Sequence, residues 1–161
     1  MNVQDVLNDK IAQELLTSTE LARLAYTWRD GTPRVVPIWF HWNGSEVVMA
    51  SPVKAPKVAV LESRPQVAIS IDSAGSWPYH ALMLRGNAKI ERQDGVPDEY
   101  VAAGERYAGH DFTQAWVAHL EKMGFSFARI RVAPTYARIL DFATRFPSAT
   151  TDAFKSFVPA G

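Results

Sequence analysis

No cysteine occurs in the 161 residues, which excludes disulfides, thiolate metal sites and cysteine nucleophiles and fits a reducing compartment. Net charge is missing too, since seventeen basic and seventeen acidic side chains cancel. Without a field of one sign there is no long-range attraction for nucleic acid or an anionic membrane, so any anion site has to be local. No run reaches the ~18 consecutive apolar residues of a membrane span. The opening MNVQDVLNDKIAQELL carries acids where a secretory signal needs cations. These absences predict a soluble cytoplasmic protein with neither a membrane nor a nucleic-acid partner. The histidines, at 41, 80, 110 and 119, show neither His-x-x-x-His nor Glu-x-x-His spacing, so no metal site is expected. A P-loop, a Gly-x-Gly-x-x-Gly fingerprint and a Gly-x-Ser-x-Gly elbow are also absent, and no side chain is assigned a catalytic role.

What is present is a 47% hydrophobic chain, enough for one sizeable core. Val3, Leu7, Ile11 and Leu15 recur every fourth position, with Val6 and Leu16 beside them, and predict one amphipathic helix over 3–16. The period then changes to two. Strands are predicted over 21–28, 34–42 and 46–51, joined by Asp30-Gly31 and by Asn43-Gly44, a strong hairpin signal. Pro37 inside the second strand implies an edge or a bulge, because proline cannot donate to a ladder. Further strands are expected over 67–71, 80–91, 125–132 and 136–142, with a bulge at Gly86. Helices are expected over 97–107 and 111–123, the second opened by an Asp-x-x-Gln capping box. Six to seven antiparallel strands with peripheral helices predict a mainly β, small-barrel domain over 1–145, followed by an irregular tail over 146–161.

The segment ASPVKAPKVAVLESRP, residues 50–65, poses an electrostatic question. Pro56 suits the first turn of a short helix, yet Lys54 and Lys57 stand at that turn, where a cation forgoes a few tenths to about 1 kcal/mol. With Ser51 closing the strand before it, the segment offers a hydroxyl, two ammonium groups and free N–H donors. This suits a phosphate. Two solvated lysines on a surface helix are the other reading, and the residues alone leave both open.

The order of these segments resembles the flavin-binding split-barrel proteins related to pyridoxamine 5′-phosphate oxidase, including members that use the deazaflavin coenzyme F-420. The likeness runs over residues 10 to 142. It is carried by Gly-x-Pro-x-x-x-Pro-x-Trp from Gly31 to Trp39, Lys-x-x-x-Leu-x-x-x-Pro from Lys57 to Pro65, and HALMLRGNAKIER. The resemblance implies a split barrel, a homodimer with cofactor at its interface, and FMN as cofactor, with F-420 the alternative. It implies Ser51 and Lys57 as phosphate ligands, Lys54 near enough to assist, and Ala50 and Pro56 beside them. Val35, Val36, Pro37, Ile38 and Trp39 would run along the ring, and His80 and Ala81 would lie near it. The implied activity is hydride transfer between the cofactor and a small planar substrate; the alternative is a non-catalytic flavin, F-420 or haem-related binding protein.

Departures from the oxidases narrow this expectation. Pro56 stands where they have an arginine, and Trp39 and Phe40 stand where they have a lysine. The end, DFATRFPSATTDAF, lacks their arginine- and histidine-containing substrate motif. Oxidation of pyridoxamine phosphate is therefore not expected.

Strand alternation sends Trp39 and His41 to one face and Phe40 and Trp42 to the other. Stacking beneath a ring and packing in a core or dimer seam are both open to these side chains. Trp77, Tyr79 and His80 enter the fifth strand near the implied ring. His119 falls on the apolar stripe of Phe112, Ala115, Trp116, Leu120 and Met123 and is expected to pack, as are Tyr100 and Tyr107. His110 is expected to be solvated. Arg129 and Arg131 share a strand face with Phe125 and Phe127 and suit an interface, solvent or a second anion.

Overall fold

The computed structural model describes residues 2–73, 75, 77–145 and 151–156. The elements in chain order are α1 (Val3–Leu7), α2 (Lys10–Thr17), β1 (Ala22–Thr27), β2 (Pro33–Ile38), β3 (Phe40–Trp42), β4 (Val47–Pro52) and α3 (Pro56–Ser63). They continue with β5 (Gln66–Asp72), β6 (His80–Asp94), α4 (Asp98–Ala108), α5 (His110–Lys122), β7 (Ser126–Val132), β8 (Tyr136–Asp141) and α6 (Thr151–Ser156).

The predicted N-terminal helix is two. Asn2 and Asp5 form a reciprocal capping box on α1. Asp9 then stops that helix and starts another, its carboxylate accepting from the Ile11 amide at 2.9 Å. The apolar period runs through this break, so periodicity alone joined the two. Val6, Leu7, Leu15 and Leu16 are buried from both pieces.

The strands lie in the order β2-β1-β5-β6-β7-β4-β3, every neighbouring pair antiparallel, and β8 pairs with β6. β2 is one edge of the sheet and β3 the other, and Trp39 is the single residue between them. The chain thus passes from one edge to the other in one step, curling the sheet into a split barrel. Pro37 sits on the edge strand its chemistry demands.

β6 serves both halves of the barrel. Residues 80–85 pair with β8 and 88–94 with β7. Between those ladders Gly86 and Asn87 face three residues, Ala133, Pro134 and Thr135. The extra residue predicted at Gly86 therefore belongs to the opposite chain. Glycine is required at 86 for a different reason: a Cβ there would stand 2.7 Å from the Ala133 carbonyl oxygen and 2.9 Å from Val132 Cγ1.

The barrel interior is filled by alternating strand residues, among them Leu24, Phe40, Met49, Ile69, Leu82 and Ile130, each at most 2% exposed. The helices cover its ends. α4 and α5 form a hairpin, brought close where Gly104 meets the Thr113 side chain. The capping box predicted at Asp111 does not form. Gly109 is the N-cap of α5, at φ 87°, and Gln114 Nε2 donates instead to Glu105 Oε1 at 3.1 Å. In the segment read as an irregular tail, residues 151–156 form α6.

Candidate functional site

A cleft of about 640 Å³ opens beside Trp39, where the two sheet edges meet. Its first wall is the end of β2, Pro37 and Ile38, with Trp39 itself. Its floor is the end of β4, Ala50, Ser51 and Pro52, with Lys57 from the first turn of α3. Tyr100 of α4, Trp116, His119 and Leu120 of α5 and Met123 at its C-cap make the opposite wall; Phe125, just before β7, and Phe127 within it join them, and Leu21 stands at the margin. The interior is thus aromatic and apolar, with one ammonium group at its floor. The volume falls in the range of small-molecule sites, roughly 300–1,000 Å³.

Ser51 is 2% exposed, and α3 has Ala55 as its N-cap, with no side chain capping the helix. Lys57 is half-buried, and the loss of water pulls its amine below the ordinary 10.5. Among the described residues no carboxylate forms an ion pair with it. Five arginines elsewhere, Arg23, Arg92, Arg129, Arg131 and Arg145, are paired with carboxylates. Arg129 bonds Glu91 Oε2 at 2.8 Å and also Glu99, while Arg131 Nε donates to Glu46 Oε2 at 2.8 Å. Those two strand arginines are thereby committed to protein carboxylates.

Of the residues the resemblance implies as cofactor contacts, Pro37, Ile38, Trp39, Ala50, Ser51 and Lys57 come together in this cleft. The others lie outside its lining. Val35 is 63% exposed on the outer sheet face, and Val36 packs against the core. Pro56 is exposed at the start of α3. Lys54 lines an adjoining cavity of about 370 Å³, separated from the first by Met123 and Phe125, which line both. His80 and Ala81 begin β6 beside β5 and β8, with His80 Nε2 3.3 Å from Asp141 Oδ1. Trp77, Tyr79 and Phe142 form their own aromatic corner, the last two with ring centroids 4.6 Å apart. His41 lies outside the cleft lining; burial first, then the Arg106 charge, lowers its pKa.

The cleft also contains residues that the sequence reading sent inward. The stripe on α5 was legible, but its direction was not. Trp116, His119 and Met123 are exposed and face the cleft, while Thr113 and Leu120 do the burying. Trp116 Nε1 donates to Tyr100 Oη at 3.1 Å, and the Trp116 and His119 rings stack with centroids 5.7 Å apart. Trp39, in contrast, is stacked by the protein: Tyr107 lies 5.3 Å away at 9°, its hydroxyl donating to the Glu20 carbonyl at 2.7 Å.

A family model described as pyridoxamine 5′-phosphate oxidase matches residues 8–141. Among solved structures, an F420 reductase is 26% identical, with a TM-score of 0.59 over 78% of this chain and 94% of that one. A conserved hypothetical protein from Mycobacterium tuberculosis is 19% identical, with a TM-score of 0.66 over 88% of this chain and 89% of that one. A FAD and heme binding protein from Mycobacterium smegmatis is 19% identical, with a TM-score of 0.57 over 90% and 76%. The last two speak for the fold alone. No curated protein sequence matches significantly.

Proposed function

Because the chain belongs to the pyridoxamine 5′-phosphate oxidase family, whose model it matches over residues 8–141, we propose that it binds a phosphorylated flavin-type cofactor and works as an oxidoreductase on a small planar substrate. FMN is the cofactor we assign first and F-420 the alternative, the latter supported by the 26% identity to a protein named F420 reductase. The observation that carries the reading is Lys57. It is a partly dehydrated ammonium group beside a buried Ser51, at the floor of an otherwise aromatic cleft. A flat ring with an anionic tail matches both parts of that lining.

In this reading Ser51 and Lys57 hold the phosphate, the uncapped first turn of α3 adds N–H donors, and Pro37, Ile38 and Trp39 flank the ring. Bound there, a flavin-type cofactor supplies reversible hydride chemistry. The chain contributes orientation and exclusion of water, which is most of what such a transfer asks of a protein. We assign a homodimer as the working form. The outer face of β1, β2, β5, β6 and β8 has a cavity of about 480 Å³ where Ala25, Val35, Ala68, Met83 and Tyr136 stand between Arg23 and Arg85, a largely apolar patch suited to a second copy.

Titration of the purified apo chain with FMN and F-420 in parallel, followed by flavin fluorescence and by melting temperature, tests the assignment. Saturable binding of either, with a raised melting temperature, is expected. Binding of neither overturns it.

A further inference from the structure

Eight large hydrophobic side chains are exposed among the described residues, and four of them, Leu21, Trp116, Met123 and Phe125, line the one cleft beside Lys57. Such clustering marks a binding surface, since single exposed apolar residues are ordinary and contiguous ones are not. Their arrangement is also prepared in advance. The hydrogen bond from Trp116 to Tyr100 satisfies the only polar group of the indole and fixes its plane, and His119 stacks against it. Trp39, the aromatic residue beside the β2 wall, is already stacked on Tyr107 and tilted against Tyr100. The exposed aromatic surface of the cleft therefore belongs to α5 and the start of β7, and its polar side chain on α5 is His119.

We propose that this wall, Trp116 with His119 and Met123, is the substrate subsite, and that it selects planar aromatic carbonyl compounds. The flat ring stacks against the indole and the thioether, while the carbonyl oxygen at its edge meets the imidazole. The assignment rests on the cofactor reading above, because the β2 wall and Lys57 are given there to the cofactor. Trp116, His119 and Met123 act in this scheme by binding and not by chemistry. A saturated ring is thicker than a flat one and has no π-face to set against the indole, so planarity is the property selected.

The test is calorimetric titration of the FMN-loaded protein with chromone, a bicyclic aromatic ketone, against decalone, a saturated bicyclic ketone of similar size. Chromone should bind the wild type and decalone should bind at least about tenfold more weakly. Trp116→Ala should weaken chromone about fivefold or more, with Trp116→Phe restoring most of it and FMN affinity unchanged within about twofold. Met123→Ser, which leaves the Tyr100 hydrogen bond alone, should act in the same direction and serves if Trp116→Ala fails to fold. Equal binding of the two ketones, or chromone affinity indifferent to both substitutions, overturns the proposal. A parallel loss of FMN overturns it too, giving this wall to the cofactor. So does a change in association state without a change in chromone affinity, which makes the wall a contact between chains. If the wild type takes up neither FMN nor F-420, the cofactor reading fails separately, and chromone titration of the apo protein still decides the wall.

Discussion

The ammonium of Lys57 gives up part of its water to the cleft, and no carboxylate among the described residues compensates it. An anionic ligand would. Lys57→Ala should therefore weaken cofactor binding by about 1.5–3 kcal/mol, the range for a hydrogen bond to a charged group, while leaving the melting temperature of the apo chain nearly unchanged. Lys54→Ala should cost less, because Lys54 lines the neighbouring cavity. Parallel FMN titrations of the two variants compare them. A pH dependence follows from the same amine. Its pKa is depressed in the folded chain, so the folded apo protein sheds this proton before the unfolded one does. Apo stability should accordingly rise with pH through the window that ends at 10.5, the ordinary value. Phosphate affinity should fall across that window, as the charge that holds the anion is lost. Titrations at stepped alkaline pH check the second trend, and Lys57→Ala should abolish it.

At this scale the sequence was informative where chemistry and turn signals coincide. Ser51 and Lys57 are marked by a strand end and by a proline at a helix start, and both line the same cleft. His119 was misjudged because an apolar stripe says which residues share a face and leaves open whether that face meets the core or a cleft. Arg129 and Arg131 could not be settled from sequence, since their partners Glu46, Glu91 and Glu99 lie 30 to 85 positions away in the chain.

Elements are positioned here by a few close approaches. At Gly86 the β6 backbone passes the Ala133 carbonyl so tightly that an added methyl would stand 2.7 Å from its oxygen. Gly86→Ala should destabilise the fold by about 1–3 kcal/mol, as overpacking does, and chemical denaturation would read this as a lower midpoint. The far end of β8 is held by Asp141, which is 1% exposed. Burial by itself would raise its pKa. Hydrogen bonds from the Thr144 hydroxyl and amide, the Ala143 amide and Arg145 more than offset that and hold it well below the carboxylate range. A depressed carboxylate stabilises the fold above its unfolded pKa of about 3.9, and the contribution fades as acid protonates it. Asp141→Asn should lower stability near neutrality and flatten the acid limb of a stability-against-pH curve. Element boundaries were the least legible part of the chain. The break at Asp9 rests on one carboxylate–amide hydrogen bond, and the start of α5 after Gly109 on a positive-φ glycine with no side-chain cap; the apolar period reveals neither.

The whole molecule was legible in outline, because strand periodicity, hairpin turns and an edge proline combine in few ways other than a small barrel. Where the barrel parts was not legible. The predicted strand over 34–42 runs straight through the place where β2 ends and β3 begins, since alternation does not reveal that its halves form opposite edges of the sheet. Association is the second property at this scale. If the outer face of β1, β5 and β6 meets a second copy, Val35→Glu, at a position 63% exposed in the single chain, should shift the light-scattering mass from twice the chain to once.

The one-residue passage at Trp39 has a mechanical meaning. Every other neighbouring pair of strands around the curl is stitched by backbone hydrogen bonds, while β2 and β3 are joined only through the covalent chain. A cylinder slit along one line opens along that line, so thermal breathing concentrates there, and the cleft is its mouth. A molecule lodged between Trp39 and α5 would work as a rivet across the slit, and amide exchange in β2 and β3 should slow on its arrival more than anywhere else in the sheet.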